Sequence, residues 1–160
     1  MYRKRFDASN MFVSQLCEMK YLQTILLIII FQIDANAQFV VKVIDGDTYK
    51  ILLDGKLKNI RLKNVDAPEL KQFFGMTSKN AVKALIEGRI VAIQIKATDL
   101  YGRLIVAIQV NGMSLDSLLI KKGLAWVYKP YCNEKKLLAC EALAKSKAIG
   151  LWKCERNIPP

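Results

Sequence analysis

Apolar and polar positions follow different rules at the two ends of this chain. Near the front, Ile25-Leu26-Leu27-Ile28-Ile29-Ile30-Phe31 is an unbroken apolar run. From Gln38 onward the pattern changes to short segments. Phe39–Ile44 and Thr48–Leu53 are β-branched and apolar, separated by Asp45-Gly46-Asp47, which predicts two strands. Asp54-Gly55 predicts a hairpin turn into a third strand, Lys58–Val65. Pro68 ends that strand, because proline cannot donate to a ladder and holds its predecessor extended. A helix is expected over Ser78–Glu87, with Ser78 as its cap and Gly88 as its stop. Strands Ile90–Ala97 and Arg103–Val110 follow. After the Asn111-Gly112 turn come a helix over Leu115–Lys122, capped by Ser114 and closed by Gly123, and a last helix over Asn133–Ala148. Five short strands, with helices after the third and after the fifth, predict an α+β domain built on a small closed barrel of the OB type.

The front of the chain reads as an address rather than part of the fold. Basic Arg3-Lys4-Arg5 and Lys20 precede the apolar run, and Ala35-Asn36-Ala37 after it is the small-residue pattern preferred for signal cleavage. Seven apolar residues fall far short of the roughly 20 that a membrane-spanning helix needs. The expectation is therefore an export signal over residues 1–37 and a folded domain over residues 38–160, acting in the periplasm or outside the cell. Met11 and Met19 are alternative starts, and an uncleaved membrane anchor is the alternative fate.

Composition narrows the chemistry. The chain has 160 residues and no histidine, which excludes Ser-His-Asp and Cys-His nucleophiles, Cys/His zinc fingers and any imidazole base. Its 25 Lys+Arg against 14 Asp+Glu leave a net charge of +11, a field that attracts polyanions. Cys17 belongs to the front segment, while Cys132, Cys140 and Cys154 remain. Cys132 and Cys154 flank the last expected helix and stand too far apart to bond. Cys140 can meet Cys154 if the tail folds back after Gly150. No cysteine spacing suggests a metal cluster.

Three segments place charged residues at strand ends: Asp45-Gly46-Asp47-Thr48, Arg61 through Asp66-Ala67-Pro68-Glu69, and Asp99-Leu100-Tyr101-Gly102-Arg103. Each alone reads as an ordinary turn or a solvated strand residue. In this order, with Gly123-Leu124-Ala125-Trp126-Val127-Tyr128, Glu141 and Gly150-Leu151-Trp152 behind them, they resemble the thermonuclease family, of the staphylococcal or micrococcal nuclease type. The likeness runs from about Phe39 to Trp152.

The resemblance implies a nuclease that cleaves DNA and RNA with low sequence specificity, depends on Ca2+ and leaves 3′-phosphate ends. It implies Asp47, Asp66 and the Ala67 backbone carbonyl as calcium ligands, an all-oxygen set suited to a hard cation. Asp45 and Thr48 would support them. Arg61 and Arg103 would grip the phosphate and neutralise its transition state, for which a planar, always charged guanidinium is well shaped. Glu69 would activate or orient the attacking water. Tyr101, Tyr128 and Trp126 would line the nucleotide site, with core packing beside Leu124 and Trp152 the alternative for Trp126 and Tyr128. Single-stranded or locally opened nucleic acid is the expected partner, and a monomer the expected state. Two departures reduce positive charge at the rim: a short segment from Leu70 to Gly75, and Leu100 where the staphylococcal enzyme carries a lysine. A non-catalytic OB module that only binds nucleic acid is the rival reading, but such a module would have lost these arginines or acids.

Overall fold

The computed structural model describes Lys20, Gln23, residues 37–153 and Pro159. Contacts divide the chain into a unit over residues 1–35 and a second over residues 36–160. In the first, Lys20 and Gln23 are helical and exposed. The expected export signal therefore lies outside the described residues, apart from Lys20, Gln23 and Ala37. Among the described residues no helix is long and apolar enough to cross a membrane.

The second unit is a closed five-stranded barrel with three α-helices, as the apolar pattern predicts. Strands β1 (Ala37–Val43), β2 (Thr48–Leu53) and β3 (Lys56–Leu62) form an antiparallel meander. β5 (Ile90–Thr98) pairs with β1 and with β6 (Leu104–Val110), both antiparallel. Parallel pairing of β3 with β6 closes the barrel, setting Ile60 opposite Leu104, Arg61 opposite Ile105 and Leu62 opposite Val106. β1 and β5 each carry a register shift, at Val40/Lys42 and Ile95/Ala97, of the kind that bends strands around a small barrel. Asp54-Gly55 and Asn111-Gly112 have positive φ at both positions, the geometry of the two-residue hairpin turn expected there.

Inward positions of the strands fill the barrel. Val40, Tyr49, Ile51, Ile60, Val106 and Ile108 are essentially inaccessible to water. Helix α1 (Gly75–Ile86) adds Val82 and Ile86, α2 (Leu115–Lys121) adds Leu115, Leu119 and Ile120, and α3 (Lys135–Ser146) adds Leu137. A 3-10 turn over Gly150–Lys153 follows α3.

Several details depart from the sequence expectation. The third strand stops at Leu62 rather than Val65, because Asn64 turns the chain with φ 70°. The chain then forms β4 (Val65–Asp66), which pairs with β8 (Trp126–Val127) as a separate small sheet. A further short strand, β7 (Met113–Ser114), extends β6 beyond its turn. Ser78 is not a cap. Helix α1 begins three residues earlier, at Gly75 after a left-handed Phe74, and the buried Ser78 hydroxyl donates to the Leu124 carbonyl at 2.8 Å. Ser114 does precede α2, but its hydroxyl donates to the Asp116 carboxylate and accepts no helix N–H. The last helix is shorter at both ends than expected, with Ala148 beyond it at φ 49°. Cys132 and Cys140 are free thiols, and Cys154 lies outside the described residues.

Candidate active site

The turn between β1 and β2 brings the first acids together. Asp45 folds over its own turn, its Oδ1 accepting the N–H of Asp47 at 3.0 Å and of Thr48 at 2.7 Å, an Asx arrangement that fixes the loop. The buried Tyr49 hydroxyl donates to the Gly46 carbonyl at 2.9 Å. Burial, with the Asp47 and Asp45 charges nearby, holds that phenol well above its usual range, so it stays a donor. Gly46 is required by close approach: a Cβ there would lie 2.5 Å from the Ala67 Cβ and 2.4 Å from Ser78 Oγ. The turn thus seats on the segment that follows β4.

Asp47 is the hub. Its Oδ1 accepts from the Thr48 hydroxyl at 3.0 Å and from Arg61 Nη1 at 2.8 Å, and its Oδ2 accepts the Ala67 N–H at 2.8 Å. Arg61 reaches from β3 with its other terminal nitrogen to Asp66 Oδ1 at 2.7 Å. One guanidinium therefore bridges both carboxylates. Burial pushes Asp47 up to about 7, although Arg61 and the hydrogen bonds from Ala67 and Thr48 pull the other way. For Arg61, burial opposes the charge but Asp47, Asp66 and Asp45 outweigh it, so the guanidinium is held still more firmly protonated. Tyr128 faces Arg61, its ring centre 5.9 Å from the guanidinium carbon.

Arg103 belongs to a second cluster, one step before the β6 residue that pairs with Ile60. Pleat alternation puts it on the same face as Ile105, the register partner of Arg61. Asp99 organises this hairpin loop. Its Oδ1 accepts the N–H of Tyr101 at 2.9 Å and of Arg103 at 2.8 Å, and its Oδ2 accepts Arg103 Nε at 2.7 Å. Burial acts against ionising Asp99, yet these hydrogen bonds leave its carboxyl below the ordinary value of 3.8. Among the described residues neither terminal nitrogen of Arg103 has a partner. Tyr101 is 85% exposed with the Arg103 guanidinium 5.5 Å from its ring centre, and Leu100 is completely exposed.

Of the residues expected in the site, Asp45, Asp47, Thr48, Arg61, Asp66 and Ala67 form one bonded group. Arg103 and Tyr101 form the other. Glu69 joins neither. It is exposed, its N–H donates to the Gln72 side chain at 2.8 Å, and among the described residues its carboxylate has no partner. Trp126 takes the packing position: it is 5% exposed and edge-on to Trp152, ring centres 6.4 Å apart. It also lines a cleft of about 460 Å³ bordered by Asp66, Tyr128, Lys129, Lys145 and Trp152. Buried Glu141 ties β8 to α3, accepting the Val127 N–H at 2.9 Å. Two residues acquire a place in the site that sequence reading did not give them. Asp99 clamps the Arg103 loop, and Tyr131 stacks on Tyr128 with ring centres 5.3 Å apart and an angle of 27°. The repeat of tyrosine across Lys129-Pro130 was the available signal for Tyr131.

Residues 59–154 match the family model for staphylococcal nuclease homologues, the greater part of the chain. The chain belongs to the staphylococcal nuclease family. It is also 35% identical, over 122 residues, to an "Uncharacterized endonuclease" of Escherichia coli O157:H7, covering 76% of this chain and 80% of that one. A protein of the same printed name from Haemophilus influenzae is 35% identical over 147 residues, covering 88% and 83%. "Staphylococcal-like nuclease CAN1" of Arabidopsis thaliana is 34% identical over 93 residues, covering 58% of this chain and 29% of the relative. Nuclease chemistry on a nucleic-acid substrate is the reading that membership in the staphylococcal nuclease family supports.

Proposed function

We propose that this protein is an exported, Ca2+-dependent nuclease that hydrolyses phosphodiester bonds of DNA and RNA with low sequence specificity and leaves 3′-phosphate ends. The observation that supports the reading is the Arg61 bridge between Asp47 and Asp66, on a strand whose parallel neighbour β6 begins one residue after Arg103. A phosphodiester gains charge as it is attacked, and preorganised cations aimed at that charge are the largest single source of acceleration.

The donor chemistry fits calcium. Asp47 and Asp66 offer carboxylate oxygens, and the hydrogen bond from the Ala67 N–H to Asp47 holds the backbone at Ala67 next to the pair. The shell would be oxygen only. Burial already strains Asp47 toward its neutral form, a cost that a cation relieves. Among the described residues no three acidic or thiol side chains gather into a ready-made cage, so two carboxylates and the Ala67 carbonyl would leave the remaining positions to water and substrate. When bound, the ion supplies Lewis-acid polarisation of the phosphoryl group and lowers the pKa of water.

The chain's own groups divide the remaining work. Arg103, its Nε held by Asp99, presents its two terminal nitrogens as a fork for phosphate oxygens. Arg61 neutralises the acid pair, and to bind phosphate it exchanges one carboxylate contact for the substrate. Glu69, exposed and unpaired among the described residues, is free to orient water. Asp45 and Thr48 hold Asp47 in place. Tyr101 and Tyr128 supply π-faces that read no base edge, consistent with low specificity.

The test incubates the purified protein with single-stranded DNA in CaCl2 or in EGTA. Cleavage confined to the calcium tube, with 3′-phosphate ends, is the expected result. Retained binding without cleavage in either tube makes the protein a non-catalytic OB module. Gln38 at the N-terminus of the exported protein is the expected signature of cleavage after Ala37, and an intact front segment in the membrane fraction would mark an anchor instead.

A further inference from the structure

The tyrosine pair beyond β8 is built more firmly than an exposed loop requires. The Tyr128 N–H donates to the Asn64 carbonyl at 2.9 Å, which anchors it to the turn before β4. Tyr128-Lys129-Pro130-Tyr131 is a closed turn, the Tyr131 N–H reaching the Tyr128 carbonyl at 3.1 Å. The next residue, Cys132, is buried and fixes the far side. Within this frame the Tyr131 ring lies on Tyr128, yet it remains 78% exposed. Tyr128 therefore contacts both Arg61, which holds the acid pair, and the exposed ring of Tyr131.

We propose that the outer face of Tyr131 is a stacking subsite for an unpaired nucleobase of the substrate strand, flanking the phosphate at Arg61. The inference rests on the nuclease reading and adds a residue to it. An ordered aromatic ring with one face open offers a base the same contact whatever its identity, and such stacking contributes about 1–3 kcal/mol per base. The ring pair is already stacked, so little conformational freedom is lost on binding. A base in a duplex must first leave its neighbours to reach Tyr131. The subsite accordingly favours single strands over duplexes.

The experiment measures anisotropy of a labelled oligothymidylate on the full chain in EGTA, with the oligonucleotide confirmed intact on a gel. Tyr131→Ala is expected to raise Kd about tenfold, while Tyr131→Phe and Tyr131→Trp bind at least as tightly as the original. An abasic strand of equal length is expected to bind the original and Tyr131→Ala alike. In calcium, Tyr131→Ala is expected to raise KM by a similar factor. An unchanged Kd for oligothymidylate would overturn the subsite, and so would an equal loss on the abasic strand, which would mark a structural effect. Failure of the unmodified protein to cleave in calcium would sink the nuclease reading while leaving the binding comparison intact.

Discussion

Arg61 lies on β3 and Arg103 one residue before the neighbouring strand β6, yet their surroundings are opposite. Arg61 is tied at both terminal nitrogens, to Asp47 at 2.8 Å and Asp66 at 2.7 Å, and faces a carboxylate side chain only 4% exposed. Arg103 is tied at Nε alone, by an aspartate four residues away on its own exposed hairpin. The first arrangement balances one buried and one half-buried acid and so serves the fold as well as the proposed reaction. The second aims a fork outward and contributes little to the core. Identical side chains thus divide between charge balance and presentation.

Removing each arginine sharpens this contrast. The largest effect is expected from Arg103→Ala, which should lower turnover by about 10²–10³-fold, as loss of one preorganised donor does, while the melting temperature stays put. Near-normal turnover in that folded variant would mean the site is wrongly assigned. Arg61→Ala should lose activity and also about 3 kcal/mol of stability, because it strands Asp47 in the interior. Equal unfolding midpoints in urea for the two variants would erase the distinction. The glycines of the two turns offer a smaller version of the same test. Gly46→Ala drives a methyl into Ala67 and Ser78 and should cost about 1–3 kcal/mol of stability. Gly102→Ala has open space around its Cβ but keeps φ at 76°, so about 1 kcal/mol of backbone strain is expected.

Acid gives the smallest effect. Asp99 is depressed below 3.8 by its hydrogen bonds. A depressed carboxylate contributes stability that is present above its unfolded value and lost as pH falls through its folded value. Amide shifts of Tyr101 and Arg103 should therefore titrate together, with a midpoint below 3.8. A midpoint at or above that value would show that the clamp does not hold in solution.

The barrel was legible because its strands obey the period of two and its turns carry Asp-Gly and Asn-Gly. What escaped depended on tertiary contact. Ser78 has the chemistry of a cap, but the Leu124 carbonyl claims its hydroxyl in the interior. Asn64 ends a strand that its apolar neighbours would continue, because it turns with positive φ while its side chain donates to Asp116 and Glu134. In the site, the order of blocks named the candidate residues. It did not indicate that one guanidinium would bridge both acids, that Asp99 would orient Arg103, or that Tyr131 would stack on the tyrosine facing Arg61. The Arg61 bridge joins segments distant in sequence, whereas the Asp99 and Tyr131 contacts are local but take their form from side-chain geometry that residue type alone does not fix.

The division between the two arginines is tested most directly by NMR of guanidinium protons in the metal-free protein. Arg61 should show resolved, slowly exchanging protons on both terminal nitrogens, since both are bonded to carboxylates. Arg103 should show a protected Nε proton with averaged, fast-exchanging terminal protons. Averaged terminal protons on Arg61, or protected ones on Arg103, would contradict the account.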